Sequence, residues 1–288
     1  MVVKDIKRVL VLGIGVMGNG IVQSCASAGY DVTVVDVSDE ILERGLSNIK
    51  KSLGRFVKSG KMTQDEADAI FNRITPTLNL EEAAKAADYV IEAVTEKLEI
   101  KEEIFRKLDE NCREGVILGS NTSTLPIAAL GAVTERPELV IGTHFMNPPP
   151  LMKGVEIIRS IATSDETTEI TNKFIESLGK VPIVVKDSPG FITNRLLFIL
   201  LNEAARTHAE GLSGIEDADT LLKLCFNWPM GPFELMDLIG LDTCVFVLDS
   251  IYKETGNPTY APAPILREYM RSGWLGRKSG RGWYDYSK

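Results

Sequence analysis

Arg8-Val9-Leu10-Val11-Leu12-Gly13-Ile14-Gly15-Val16-Met17-Gly18 decides the fold, read together with Asp36, which closes the run Val32-Thr33-Val34-Val35 eighteen residues past Gly18. Residues 8–12 are a short, continuous apolar run, as in a strand buried on both faces. The pattern Gly-x-Gly-x-x-Gly follows at once and leads into helix-periodic residues 16–28. Alone such a pattern is weak, and a glycine-rich turn without a ligand is its plain alternative. The strand before it and the helix after it give it meaning. Gly13 permits a tight turn, Gly15 lets the backbone approach a pyrophosphate, and Gly18 lets helix and strand pack closely. Val16 and Met17 would then offer the anion amides of a helix N-terminus. Asp36 can accept hydrogen bonds from ribose hydroxyls and would repel a 2′-phosphate. Val37 and Ser38 supply no arginine for one, so the cofactor expected is NAD, with NADP the lesser alternative.

Outward from that unit, β-branched runs alternate with amphipathic stretches. Strands are expected at residues 8–12, 32–36, 89–93, 116–120, 140–144, 155–158 and 181–185, and helices at 16–28, 38–59, 63–72, 97–111 and 164–178. This is the pattern of a parallel sheet covered by helices. The character changes at Lys186-Asp187-Ser188-Pro189-Gly190, beyond which helices are expected at 191–211, 215–226, 233–239 and 242–255. The expected class is α/β: a Rossmann-type dinucleotide-binding domain at 1–187, then an all-α domain at 188–288. Residues 191–201 and 241–251 carry more apolar surface than so small a helical domain can cover, which points to a homodimer through the C-terminal domain.

The 288 residues are 44% apolar and 25% charged, and 32 Lys+Arg against 40 Asp+Glu give a net charge of −8. Disorder is excluded, and the acidic balance argues against a nucleic-acid partner. No run approaches the ~18 apolar residues of a membrane span. Residues 1–8 read as lacking a secretory signal, so a cytoplasmic location is expected. Cys25, Cys112, Cys225 and Cys244 are scattered without metal-ligand spacing. They read as buried thiols in a reducing compartment, and no metal is expected.

His144 ends a strand in Gly142-Thr143-His144-Phe145, at the edge where open α/β sheets bind ligands. Twelve residues on, Glu156 interrupts an apolar strand. A buried carboxylate needs a partner, and an imidazolium would supply one. Considered singly, each could be structural. The other histidine, His208, reads as a packing residue.

The chain resembles the short-chain L-3-hydroxyacyl-CoA dehydrogenase family, most closely its bacterial 3-hydroxybutyryl-CoA dehydrogenases, from Gly13 to Tyr286. The likeness rests on the glycine loop, Ser120-Asn121-Thr122-Ser123, Gly142-Thr143-His144-Phe145 and Pro189-Gly190-Phe191-Ile192-Thr193-Asn194-Arg195. Pro229-Met230-Gly231-Pro232 and the ending Gly276-Arg277-Lys278-Ser279-Gly280-Arg281-Gly282 extend it. Ile14, where a small residue is usual, and Thr124, where a second serine is common, depart from the pattern. Ile14 could tighten the pyrophosphate loop.

The resemblance implies that His144 is the general acid/base and Glu156 its orienting carboxylate. It implies that Ser123 and Asn194 bind the substrate's oxygens, and that Glu96, Lys101, Ser123, Asn147 and Lys278 contact the cofactor. It implies an acyl-CoA substrate in butyrate or fatty-acid metabolism, with hydride transfer at C3. Lys50, Lys51, Arg55, Lys58 and Lys61 fall within twelve residues free of acids. A solvated basic helix is one reading. The family instead places here an arm that contacts the CoA nucleotide, with Ser52, Lys58 and Lys61 as candidate contacts. Two rivals remain: a dehydrogenase of free hydroxy acids, and a non-catalytic protein on the same fold.

Overall fold

Eight short apolar runs assemble into one sheet of order β3-β2-β1-β4-β5-β6-β7-β8. In the computed structural model, which describes residues 5–287, the strands are β1 (Arg8–Leu12), β2 (Asp31–Val35), β3 (Ile74–Thr77), β4 (Tyr89–Glu92), β5 (Ile117–Ser120), β6 (Val140–Phe145), β7 (Gly154–Arg159) and β8 (Val181–Lys186). The helices among them are α1 (Val16–Ser27), α2 (Asp39–Lys58), α3 (Gln64–Phe71), α4 (Leu80–Ala86), α5 (Leu98–Asn111), α6 (Ile127–Ala132) and α7 (Asp165–Ser177). The chain passes from β1 to β2 on one side and returns to β4 on the other. That reversal opens a crevice at the C-terminal ends of β1 and β4, directly beside Gly13.

Local signals set the helix starts. Ser38 accepts from the Ile41 amide, Ser164 accepts from the Thr167 amide, and Thr63 with Glu66 forms a reciprocal capping box.

The sheet departs from expectation in two ways. It is not wholly parallel, because β7 runs antiparallel to β6 and brings His144 opposite Glu156. Nor is every strand buried on both faces: β8 is an edge, with Val181, Ile183 and Val184 about half exposed. The strand β3 and the helices α4 and α6 were not anticipated. Pro76 spoils the strand pattern of β3 but is tolerated because β3 is the other edge. The helices α4 and α6 are too short to show a period.

Asp88 ties the start of β1 to the rest of this unit. It accepts from the Lys7 and Arg8 amides at 3.1 and 2.8 Å and pairs with the guanidiniums of Arg8 and Arg113. Burial opposes its charge, yet these donors outweigh it and pull the carboxyl down to about 2. A carboxyl depressed on folding stabilises the fold above its unfolded value near 4, and that stabilisation drains away as pH falls toward 2. Asp88→Asn is therefore expected to lower unfolding free energy by about 2 kcal/mol at pH 7. In urea titrations at several pH values the gap from wild type should close below about pH 4. A gap that persists at pH 2 would exclude the charge as its source.

Contacts divide the chain after Ser188 into two compact units. The second holds α8 (Thr193–Ala209), α9 (Ile215–Phe226), α10 (Pro232–Ile239), α11 (Leu241–Thr255) and α12 (Pro264–Arg271). Its core gathers Phe198, Leu201, Phe233, Met236, Leu248 and Trp283. Buried Asp219 accepts from the Phe233 and Glu234 amides and from the Tyr284 hydroxyl, which satisfies the first turn of α10. Among the described residues no helix is long and apolar enough to cross a membrane.

Candidate active site

The glycine loop has the shape the sequence implies. Gly13 adopts φ +88°, and a Cβ there would lie 2.6 Å from the Ala93 carbonyl oxygen on the neighbouring strand's end. A Cβ on Gly18 would lie 1.9 Å from the Gly13 oxygen, whereas one on Gly15 would meet nothing within 4 Å. Folding therefore demands glycine at 13 and 18, and the open space at 15 is left for something other than protein. The helix α1 begins with no side-chain cap and no acid in its first turn, so its amides suit an anion. Asp36 accepts from the Ile14 amide at 2.8 Å and the Val37 amide at 2.7 Å. The loop itself thus aims this carboxylate. These features fit a dinucleotide with an unphosphorylated ribose. Ile14 is buried, and a Cβ on Gly45 of α2 would lie 2.5 Å from it, so α2 makes room for the larger side chain.

Across β6 and β7, His144 Nδ1 lies 2.8 Å from Glu156 Oε2, and His144 Nε2 lies 3.0 Å from Ser123 Oγ. Both members of the pair are about 95% buried. A carboxylate can only accept, so Nδ1 carries a hydrogen and donates it to Glu156. Nε2 is then the ring nitrogen that faces Ser123. That is the arrangement of an oriented general acid/base.

Ser123 stands in the loop after β5, and Glu96 holds that loop. One Glu96 oxygen accepts from the Thr122 hydroxyl and from the Ser123 and Thr124 amides at 2.6, 2.8 and 3.0 Å. Thr124 adds its own hydroxyl, so the substitution for serine keeps a donor there. Burial opposes the charge of Glu96, but Lys101 and these donors hold its carboxyl below the ordinary glutamate value. Lys101 is 1% exposed and lies 2.6 Å from Glu92, which is fully buried. Sequence reading passed over Glu92, although an acid ending the apolar run Tyr89-Val90-Ile91 was a visible signal.

A cavity of about 580 Å³ lies between α1, α2 and the loop after β6. Ser52, Lys61 and Asn147 line it, and Gly15 and Val16 connect it to the glycine loop. Lys58 is exposed and does not line it: it occupies the solvent side of the last turn of α2. Arg44, Asn48 and Arg55, on the turns facing the cavity, do line it and were not singled out as contacts. Lys180 fixes the opposite wall. Its buried ammonium donates to the Pro149 and Met152 carbonyls, and burial pushes it below the ordinary lysine value.

Within the second unit, Asn194 is the second residue of α8, and Lys278 donates to Asp242 at 2.7 Å. His208 packs edge-on against Phe233 and Trp283. Three cysteines are buried, with the Cys25 thiol pushed up to about 12 by burial, while Cys225 is exposed, contrary to expectation.

Two family models match this chain. The NAD binding domain of 3-hydroxyacyl-CoA dehydrogenase covers residues 8–188, and the C-terminal domain of 3-hydroxyacyl-CoA dehydrogenase covers 190–286. The chain is 47% identical over 284 residues to a probable 3-hydroxybutyryl-CoA dehydrogenase of Bacillus subtilis, with 99% of each covered. It is 44% identical to a 3-hydroxybutyryl-CoA dehydrogenase of Bradyrhizobium diazoefficiens, with 98% of this chain and 96% of that protein covered. Among solved structures, (S)-3-hydroxybutyryl-CoA dehydrogenase from Ralstonia eutropha matches with TM-score 0.94 and 44% identity, over 99% of this chain and all of that one.

Proposed function

The chain belongs to the 3-hydroxyacyl-CoA dehydrogenase family and is an NAD-dependent oxidoreductase, and from that premise we propose that it interconverts acetoacetyl-CoA and (S)-3-hydroxybutyryl-CoA with His144 and Glu156 as its acid–base pair. The observation that carries this reading is the buried pair Glu156–His144 and its half-buried neighbour Ser123, with contacts of 2.8 and 3.0 Å. The glycine loop and Asp36 would hold NAD, which when bound would accept a hydride from C3, or as NADH donate one to it. His144 Nε2 gives its proton to the C3 oxygen as charge develops there, and takes it back in the reverse direction. Glu156 keeps Nδ1 protonated and favours the charged ring through each transfer. The Ser123 hydroxyl donates to the same oxygen without ionising. Asn194 and Lys278 take the substrate and cofactor roles that the family resemblance implies. The direct test is NADH oxidation with acetoacetyl-CoA beside free acetoacetate. Turnover of the free acid alone would replace this reading with that of a hydroxy-acid dehydrogenase.

The preference for a CoA ester rests on the basic wall of the cavity. Arg55→Glu with Lys61→Glu is expected to raise KM for acetoacetyl-CoA by roughly tenfold or more, about the worth of a charge-assisted hydrogen bond. A pantetheine thioester lacking the nucleotide should be little affected, and Lys58→Glu should do less to either substrate. Equal losses on both thioesters would return this helix to a solvated surface.

A homodimer through the C-terminal unit completes the proposal. Leu196 and Phe246, on the helices singled out for surplus apolar surface, are 67% and 47% exposed. Leu221, Leu224 and Phe226 of α9 extend the exposed apolar surface. Most of the apolar side chains of α11 are instead consumed by its own core. Sedimentation at micromolar concentration is expected to give a dimer, and Leu224→Asp with Phe226→Asp to shift it toward monomer. A wild-type monomer would refute the proposal.

A further inference from the structure

Beneath the loop of residues 120–124 lie two carboxylates and one ammonium that the acid–base chemistry above does not use. Glu92 Oε1 accepts from Lys101 Nζ at 2.6 Å and from the Val94 amide at 2.7 Å, while its Oε2 accepts from the Ser120 hydroxyl at 2.6 Å. Ser120 Oγ in turn accepts from the Thr122 amide at 3.2 Å. Lys101 also approaches Glu96 at 3.4 Å, on the oxygen opposite the one that grips Ser123. We propose that Glu92 and Lys101 are positioning residues that act through Glu96 and Ser120 to hold Ser123 within hydrogen-bond reach of His144.

The argument is electrostatic and geometric. Glu92 and Glu96 present like charges to one buried space, and among the described residues Lys101 is the cation that pairs with both. Without it, Glu96, whose side chain is 26% exposed, can lower its energy by turning toward water. It would then release the Ser123 and Thr124 amides, and the Ser123 hydroxyl would lose its fixed place opposite Nε2. The resemblance makes Lys101 a cofactor contact; at 1% exposure and paired with two carboxylates it is placed instead to act through its neighbours, and NADH affinity separates the two roles. The catalytic consequence rests on the dehydrogenase reading; the geometric one does not.

The experiment compares wild type with Lys101→Met and Glu92→Gln, each alone and combined with Ser123→Ala. Nitrogen-15 histidine NMR suits this chain, because it has two histidines and His208 serves as internal reference. Both variants are expected to move His144 Nε2 toward its position in Ser123→Ala and to leave Nδ1 in place. They should lower kcat roughly tenfold to a hundredfold, the scale of an ångström's misplacement, with KM and the NADH dissociation constant changed far less. In the Ser123→Ala background they should cost little more. An unmoved Nε2, or kcat losses that multiply in full across backgrounds, would overturn the proposal. So would a loss of NADH affinity that matches the loss of kcat, since that marks direct contact with the cofactor. If Lys101→Met does not fold, the nearly isosteric Glu92→Gln carries the same expectations. A wild type inactive on acetoacetyl-CoA would refute the proposed reaction while the NMR comparison still decides this inference.

Discussion

His144→Gln is expected to bind NADH as wild type does and to lose kcat by roughly 10²–10⁴, the usual worth of a positioned acid/base. Cofactor affinity should survive because the glycine loop and Asp36 are held by contacts that do not include His144. The glutamine amide can still donate to Glu156, so the buried carboxylate keeps a partner and the fold should hold. Glu156→Gln should also cost activity. Its amide removes the charge that favours imidazolium and can pair with the wrong ring tautomer. The double variant should be little worse than the worse single one, because residues that act as a unit are not additive. Stopped-flow turnover, NADH fluorescence titration and thermal melting would be read together. A folded, NADH-competent His144→Gln within a few-fold of wild-type kcat would rule the mechanism out.

Gly15→Val is expected to leave the melting temperature close to wild type and to weaken NADH binding by at least about a hundredfold, or 2.7 kcal/mol. A Cβ at this position meets no protein atom within 4 Å, so the folded chain has little to lose beyond about 1 kcal/mol for a poorer helix cap. The new side chain would occupy the approach that the pyrophosphate needs. Gly18→Ala forms the contrast. Its methyl must displace the Gly13 carbonyl, so it should destabilise the fold by roughly 1–3 kcal/mol and lose cofactor affinity as well. Melting curves and NADH titrations on both variants separate the glycine kept for the fold from the one kept for the ligand. Wild-type NADH affinity in Gly15→Val would mean that the pyrophosphate lies elsewhere.

Where one side chain's chemistry dictates its surroundings, the sequence was a good guide. The strand at residues 8–12 and the helix after it follow from apolar continuity and glycine placement. Thr63 with Glu66 and Ser164 with Thr167 mark helix starts by their own hydrogen bonds. His144 and Glu156 invited pairing because a carboxylate inside an apolar strand demands a partner. What stayed hidden depends on direction and distance in space. Nothing local says that β7 runs antiparallel to β6, since a strand's periodicity carries no polarity. Nor does the basic stretch reveal which of its cations face the cavity. The spacing of Lys51, Arg55 and Lys58 puts those three on one helix face, but the cavity takes Arg44, Asn48, Ser52 and Arg55 from successive turns of α2. Pro76 masked β3 because the edge position that excuses it is a property of the whole sheet.

The fit of Ile14 against Gly45 has a consequence for how this chain can vary. A glycine inside a helix costs about 1 kcal/mol relative to alanine, and α2 bears that cost beside a loop residue larger than the usual one. Positions 14 and 45 therefore form one unit of inheritance. Alanine at 45 forces Ile14 to shift in any descendant that keeps isoleucine there, at a cost of roughly 1–3 kcal/mol, and loses that cost once position 14 shrinks. Of the two, the small residue at 14 comes first at the lower cost, because the opposite order drives a methyl into the buried isoleucine 2.5 Å away.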